Sequence, residues 1–434
     1  METISNRCPR DFLSRRARWI VVAVGMVLAL AAVGVWHLGE IPARTTARAA
    51  RRAVADSQFD EADATLGRWL LMRPRSAEAY YLKARVALAR KKPQEAVAGL
   101  AAARALGYPA APLDRLDAII RANAGRHAEA EPVLRRVLEE SKAPDPEAAE
   151  ALARVYLETY RFQDAAVVID RWMRDAPDDA KPYLWRTEVN SRLKKDSIAQ
   201  IRDYRAALDR DPTLDRARLG LAGELRLAGR HAEAASVYDS YIDRNPDEPA
   251  GHLGAGLVAL DRGDDASAIL HLDRTLELAP VNSAALSARA AIAVRRREDT
   301  AALDLLDRAV RITPHDVEIR HRRGLCLARL GRRDEARAEQ VVAARLREDA
   351  QRLGKLQLAL VTNPGDLGLQ GEIAHWMIEH GHEEEGIRWA RKILDERPND
   401  LEANRMMVEY HERGGSPGLA NYYRLQAKET PPPK

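Results

Sequence analysis

The sequence predicts an all-α fold: an α-α superhelical solenoid of about eleven helix-turn-helix repeats, preceded by one transmembrane helix. Three observations predict it. One small residue recurs through the chain at a period near 34, glycine and proline fall at fixed offsets from it, and a twenty-residue uncharged apolar run stands near the N-terminus. The composition agrees. Of 434 residues, 46% are hydrophobic, enough for an ordered chain. Only 5% are aromatic, which favours many thin helix contacts over one large core. The 69 Lys and Arg against 65 Asp and Glu leave a formal charge of +4, which argues against a dedicated nucleic-acid binder. Eleven of those 69 basic residues are Lys; with the abundant Ala this reads as the product of a GC-rich bacterial genome. Cys8 and Cys326 lie too far apart in sequence for a CxxC metal or redox motif.

The first element is residues 1–18, a short basic segment holding Arg7, Arg10, Arg15, Arg16 and Arg18. The second is the run Trp19 to Leu38, which carries no formal charge. At 1.5 Å per residue it spans roughly 30 Å, the thickness of a bilayer's hydrocarbon core. Trp19 and Trp36 sit near its ends, where indoles prefer the membrane interface. Arg44, Arg48, Arg51 and Arg52 follow it, so the basic bias is slight, five against four. The reading is a signal-anchor in a cell inner membrane, with the N-terminus cytoplasmic and the repeats extracytoplasmic (periplasmic). A cleaved signal peptide is the alternative, but the run is long for one and no small-x-small site follows it in place.

The remaining elements repeat. The small residues are Ala62, Ala96, Ala130, Ala165, Ala199, Ala234, Ala268, Ala302, Ala336, Gly386 and Ala420. Their spacings are 34, 34, 35, 34, 35, 34, 34, 34, 50 and 34. Most are followed about twelve residues later by a proline such as Pro74, Pro212, Pro280 or Pro398, and preceded by a turn glycine such as Gly125, Gly229, Gly263 or Gly331. One unit, Pro249 to Asn282, illustrates the physics. Apolar residues recur at helical spacing from His252 to Leu260. Asp261-Arg262-Gly263-Asp264 breaks the helix, with Gly for a left-handed cap and Asp to cap the next helix. Ala266 to Leu278 forms the second helix, and Pro280 with Asn282 stops it. Small residues at Gly256 and Ala268 let the two helices approach, and Leu253, Leu257, Leu272 and Leu276 fill the seam.

This register resembles the tetratricopeptide repeat family: a 34-residue period with small residues at the eighth and twentieth positions, Gly at the fifteenth and Pro at the thirty-second. The resemblance covers residues 43–434. Most bulky aromatics of the family pattern are missing, Tyr80, Tyr156, Tyr183, Tyr204, Tyr238 and Tyr241 being exceptions, and Glu348 stands where one proline belongs. That substitution coincides with the single 50-residue spacing. The expected organisation is nine repeats over 43–350, a helical extension or insertion over 351–366, and two C-terminal repeats over 367–434. The extension reads as a second helix continued past the stack, or one kinked at Gly354. Pro431-Pro432-Pro433 ends the stack.

No phosphate-binding glycine loop, GxSxG or HExxH occurs, so no catalytic residue and no cofactor or small-molecule substrate is expected. His375, His380 and His382 are read as polar residues around a turn, the alternative being a metal site completed by Glu383 to Glu385. Buried packing is expected of Cys326. The resemblance implies that first helices line a groove. Carrying its register over places Arg192, Arg226, Arg295 and Arg329 at late positions there, with Leu253, Leu257, Ser287 and His321 at others. Such a row suits a peptide with acidic residues; the plainer reading is a solvated face whose Arg residues pair with nearby Asp and Glu. The family's carboxylate-clamp pattern is absent. The expected function is therefore a membrane-anchored scaffold for protein or peptide partners, with no nucleic acid and no covalent chemistry. The alternatives are an envelope or cytochrome assembly factor holding a client polypeptide, and, more remotely, an accessory subunit of an enzyme complex.

Overall fold

The computed structural model describes Met26 and residues 42–141, 143–193 and 196–428. The run 19–38 expected to cross a membrane lies outside the described residues apart from Met26, as do the basic segment 1–18 and the proline tail. Among the described residues no helix is long and apolar enough to span a bilayer.

Those residues form twenty-two helices and no strand, a solenoid of paired helices. They are α1 (42–55), α2 (Phe59–Met72), α3 (Ala77–Ala89), α4 (Pro93–Ala105), α5 (Ala110–Asn123), α6 (His127–Glu140), α7 (Pro146–Glu158) and α8 (Phe162–Asp175). Next come α9 (Lys181–Arg192), α10 (Ser197–Arg210), α11 (Asp215–Leu227), α12 (His231–Arg244), α13 (Pro249–Asp261), α14 (Asp265–Leu278), α15 (Ser283–Arg295) and α16 (Asp299–Ile312). The chain closes with α17 (Val317–Arg329), α18 (Arg333–Thr362), α19 (Leu367–Glu379), α20 (Glu383–Glu396), α21 (Leu401–Arg413) and α22 (Pro417–Lys428). Two compact units result, the first ending at Ile120 and the second beginning at Arg121. The first has one core, around Ala50, Leu66, Trp69, Ala84, Leu100 and Leu113. The second has a string of small cores, one after another along the repeats.

The turn between α13 and α14 shows how paired helices are joined. Gly263 takes φ +75°, the Asp264 N–H donates to Ala259 O at 2.9 Å, and the Asp264 carboxylate caps α14 by accepting from the Ser267 N–H at 3.1 Å. Left-handed residues recur in that register at Ser57, Lys91, Gly125, Tyr160, Gly229, Gly263, Arg297, Gly331, Gly381 and Gly415. Four of the ten are not glycine. Each of those four carries a Cβ in a region that disfavours it by about 1 kcal/mol. At Gly256 a Cβ would stand 2.9 Å from Leu272 Cγ, so the small residue is what lets α13 and α14 close on each other.

The 50-residue spacing is resolved by α18. It runs unbroken for 30 residues through Gly354, roughly 45 Å at the helical rise. Its extension does not project free of the stack. The Trp376 indole N–H on α19 donates to Asp349 O at 3.1 Å, and Arg352 pairs with Glu372 at 3.2 Å. Without a proline at 348 the helix continues, and α19 covers it.

Candidate functional site

The arginines picked out by register are all engaged. Arg226 on α11 reaches Asp261 on α13 at 2.8 Å, and Arg192 pairs with Glu188 one turn back at 3.1 Å. Arg295 pairs with Asp265, and Arg329 with Asp299 at 3.3 Å. The last two belong to a series. In the first unit Arg90–Asp60 has the same 30-residue offset, from the end of a first helix to the start of the preceding second helix, and Arg161 at the N-cap of α8 reaches Glu131 within α6 at 2.7 Å over the same offset. A second series has an offset of 16: Arg289–Asp273 and Arg323–Asp307, both at 2.6 Å. Arg226, Arg295 and Arg329 thus tie neighbouring repeats together, while Arg192 pairs within its own helix. Most of these pairs are half exposed, worth about 0–1 kcal/mol each. Of the other nominated residues, Leu253 and Leu257 are half buried and pack onto the core of Ala259, Ala268, Leu272 and Ile292. The Ser287 carbonyl accepts from Arg322, and His321 is exposed.

Two buried charge clusters escaped the sequence reading. Asp203 on α10 is 1% exposed and accepts from Arg186 Nε at 2.9 Å, Arg186 Nη2 at 2.5 Å and Asn190 Nδ2 at 3.3 Å. Burial opposes the Arg186 charge, but the hydrogen bond and charge of Asp203 outweigh it and hold its pKa above the ordinary value. Glu339 on α18 is likewise gripped by Arg320 at 3.1 Å and Arg323 at 2.5 Å. A charged residue on the apolar side of a second helix, Asp203 between Ile201 and Ala207, was the one available signal.

Two cavities among the described residues of the second unit bear on the site. One of about 320 Å³ lies among α6, α7 and α8, with Leu138, Leu152, Val168 and Trp172 beside Arg135, Arg161 and Arg171. The other, about 230 Å³, joins the turns before α6 and α8 to Pro364, Gln370 and the α20 residues Lys392, Asp395 and Glu396. There the Tyr160 and Trp389 rings meet at 5.2 Å. The Lys392 ammonium lies 4.9 Å from the Trp389 ring centroid, and burial pulls its pKa down to about 8 against the opposing charges of Glu396 and Glu158. Between about pH 8 and 10.5 the unfolded chain keeps a proton on Lys392 that the folded chain has lost, so stability is expected to rise with pH across that window. Denaturant unfolding of a Lys392→Met variant is expected to lack that rise; an identical pH profile would sink the assignment.

Sequence profiles of the family described as Tetratricopeptide repeat match residues 122–184 and, in a second profile of that description, 48–112, 201–249 and 253–317. These helical hairpins are tetratricopeptide repeats. Among solved structures, MamA MSR-1 C2 is 24% identical, covering 39% of this chain and 95% of its own at a TM-score of 0.34. A tetratricopeptide repeat protein from Parabacteroides merdae ATCC 43184 is 17% identical, covering 58% and 99% at 0.42. The APC/C hetero-tetramer Cut9-Hcn1 is 15% identical, covering 82% and 82% at 0.35. Each is a resemblance in fold. No curated protein matches this sequence.

Within the tetratricopeptide repeats His380 and His382 both lie beside the Trp376 ring, and His375 does not join them. His375 pairs with Glu379 at 3.3 Å on its own helix. His380 lies flat on Trp376, 4.0 Å between centroids, with Nδ1 at 2.8 Å from Trp376 O and Nε2 at 3.4 Å from Asp349. Neighbouring His315 is held below the usual imidazole range by burial, then by the charge of His380. Among the described residues no group of three or more His, Cys, Asp or Glu side chains is arranged to hold a metal ion. Cys326 is buried, and that burial pushes its thiol pKa up.

Proposed function

We propose that this protein is a membrane-anchored scaffold that binds protein or peptide partners on the extracytoplasmic side of a bacterial membrane and performs no covalent chemistry. Tetratricopeptide repeats imply protein partners in general. The observation that carries the reading is that repeats occupy the described chain from 42 to 428, leaving surface as its main asset. The anchor rests on the uncharged run Trp19 to Leu38 with its terminal tryptophans. The groove arginines contribute through exchangeable ion pairs, favouring an acidic segment in the partner.

Crosslinking followed by affinity purification from detergent extracts of membranes is expected to recover a partner at constant stoichiometry. Binding of that partner is expected to weaken at least about tenfold, about 1.4 kcal/mol, when Arg226, Arg295 and Arg329 are all changed to Glu. Undiminished affinity in a variant that keeps its helicity would sink the arginine contribution. Protease added to intact spheroplasts is expected to digest the repeats; full protection would overturn the orientation.

A further inference from the structure

Helix α20 has two working faces. Ile387, Ala390 and Ile393 are buried within its own repeat, packed with α19 and α21. Trp389, Lys392 and Asp395, spaced three apart, fall on a second face that meets the turns of repeats far upstream in the second unit. Trp389 is 7% exposed and rests on Tyr160, which itself is 6% exposed and lies tilted against Phe162 at 5.3 Å. Gln357 on the extension of α18 also acts on the Tyr160 hydroxyl. Lys392 feels the charge of Glu158; Asp395 feels Arg126, Glu129 and His127.

Tyr160 occupies the left-handed position of its turn, φ +61°, where six other repeats have glycine. Glycine would remove the strain of that conformation. What tyrosine adds is the ring that docks on Trp389. The contact is small and imperfect: a cavity of about 230 Å³ lies alongside, and among its lining residues His127 Nδ1 and Gln370 Oε1 are buried without a hydrogen-bond partner.

We propose that the second unit is a ring closed at this seam, that Tyr160 is the latch, and that the seam opens without unfolding to admit a polypeptide between α7–α8 and α19–α20. The gate rests on the protein-binding reading; the latch does not. Arg192 stands next to this seam, since its charge acts on the Tyr160 hydroxyl.

The test uses the full chain with Cys8→Ser and Cys326→Ala, spin-labelled at Gln163→Cys and Arg388→Cys, both exposed positions on either side of the seam. A narrow, short distance distribution is expected. Tyr160→Gly is expected to lengthen the mean beyond that whole distribution while helicity by circular dichroism is unchanged, and Tyr160→Phe to remain closed. An unchanged distance in Tyr160→Gly, a broad distribution in the parent, or loss of helicity together with closure would each overturn the latch. These distances need no partner, so they judge the latch even if no partner is ever recovered. With a partner in hand, bridging the same two cysteines with a bis-maleimide is expected to slow its association at least about tenfold; an unaltered rate would overturn the gate and leave the scaffold standing.

Discussion

Changing Asp203 to alanine is expected to cost about 3–5 kcal/mol of local stability, one of the two largest losses anticipated from a single substitution in this chain. The carboxylate is 1% exposed and receives two hydrogen bonds from Arg186 and one from Asn190. Removing it leaves the Arg186 guanidinium half buried between α9 and α10, with Asp170 at 3.8 Å as its remaining acid. The loss comes from stranding a charge, so the ion pair itself need not be strongly stabilising. That distinction is measurable. A double variant, Asp203→Leu with Arg186→Met, is expected to recover most of the loss, because neither charge is then desolvated. Hydrogen exchange of the α9 and α10 amides is the suitable readout, since a repeat array opens locally and a single melting temperature averages over its repeats. Exchange in Asp203→Ala that matches the parent would defeat the argument.

A change of one methyl group at Gly254 is expected to destabilise by about 1–3 kcal/mol through overpacking. An added Cβ would sit 2.1 Å from Tyr238 Cε1 and 2.2 Å from Cζ. Tyr238 is 6% exposed in the α11–α13 core and has little room to swing away. The same pairing occurs one repeat earlier, where a Cβ on Gly220 would stand 2.4 Å from Tyr204 Cζ. In both cases the tyrosine of a second helix lies on a glycine 16 residues later, on the next first helix. Gly223 provides the opposite sign. Its nearest neighbour to an added Cβ is Tyr238 Oη at 3.9 Å, so Gly223→Ala is expected to stabilise by up to about 1 kcal/mol through helix propensity. Thermal and urea unfolding of the two variants should therefore move apart. Should both move the same way, the close approach of Tyr238 is not what holds Gly254.

Much of the fold was legible in the residues. The small residue recurring every 34 positions, the turn glycines and the capping aspartates all act between neighbours in sequence, and the hairpin at Pro249–Asn282 folds as those local rules require. Legibility failed where the partner of a residue lies elsewhere. The arginine row was visible, but the 30-residue offsets of Arg295 and Arg329, like the 16-residue offsets of Arg289 and Arg323, become ion pairs to Asp only once one helix lies on the next. The glycine–tyrosine pairs are readable in retrospect as a repeated offset of 16, yet glycine in a helix is an equally good sign of weakness until the ring on top of it is seen.

By itself, then, the sequence determined the class, the number of hairpins, the place of the long helix and the tetratricopeptide register. These follow from spacing along one chain, because each repeat contacts mainly its neighbours. Only the tertiary structure decided which charges are buried, where α18 docks, and that Tyr160 meets Trp389, 229 residues away. That meeting depends on small rotations between successive repeats accumulating over the second unit, and no local pattern records their sum.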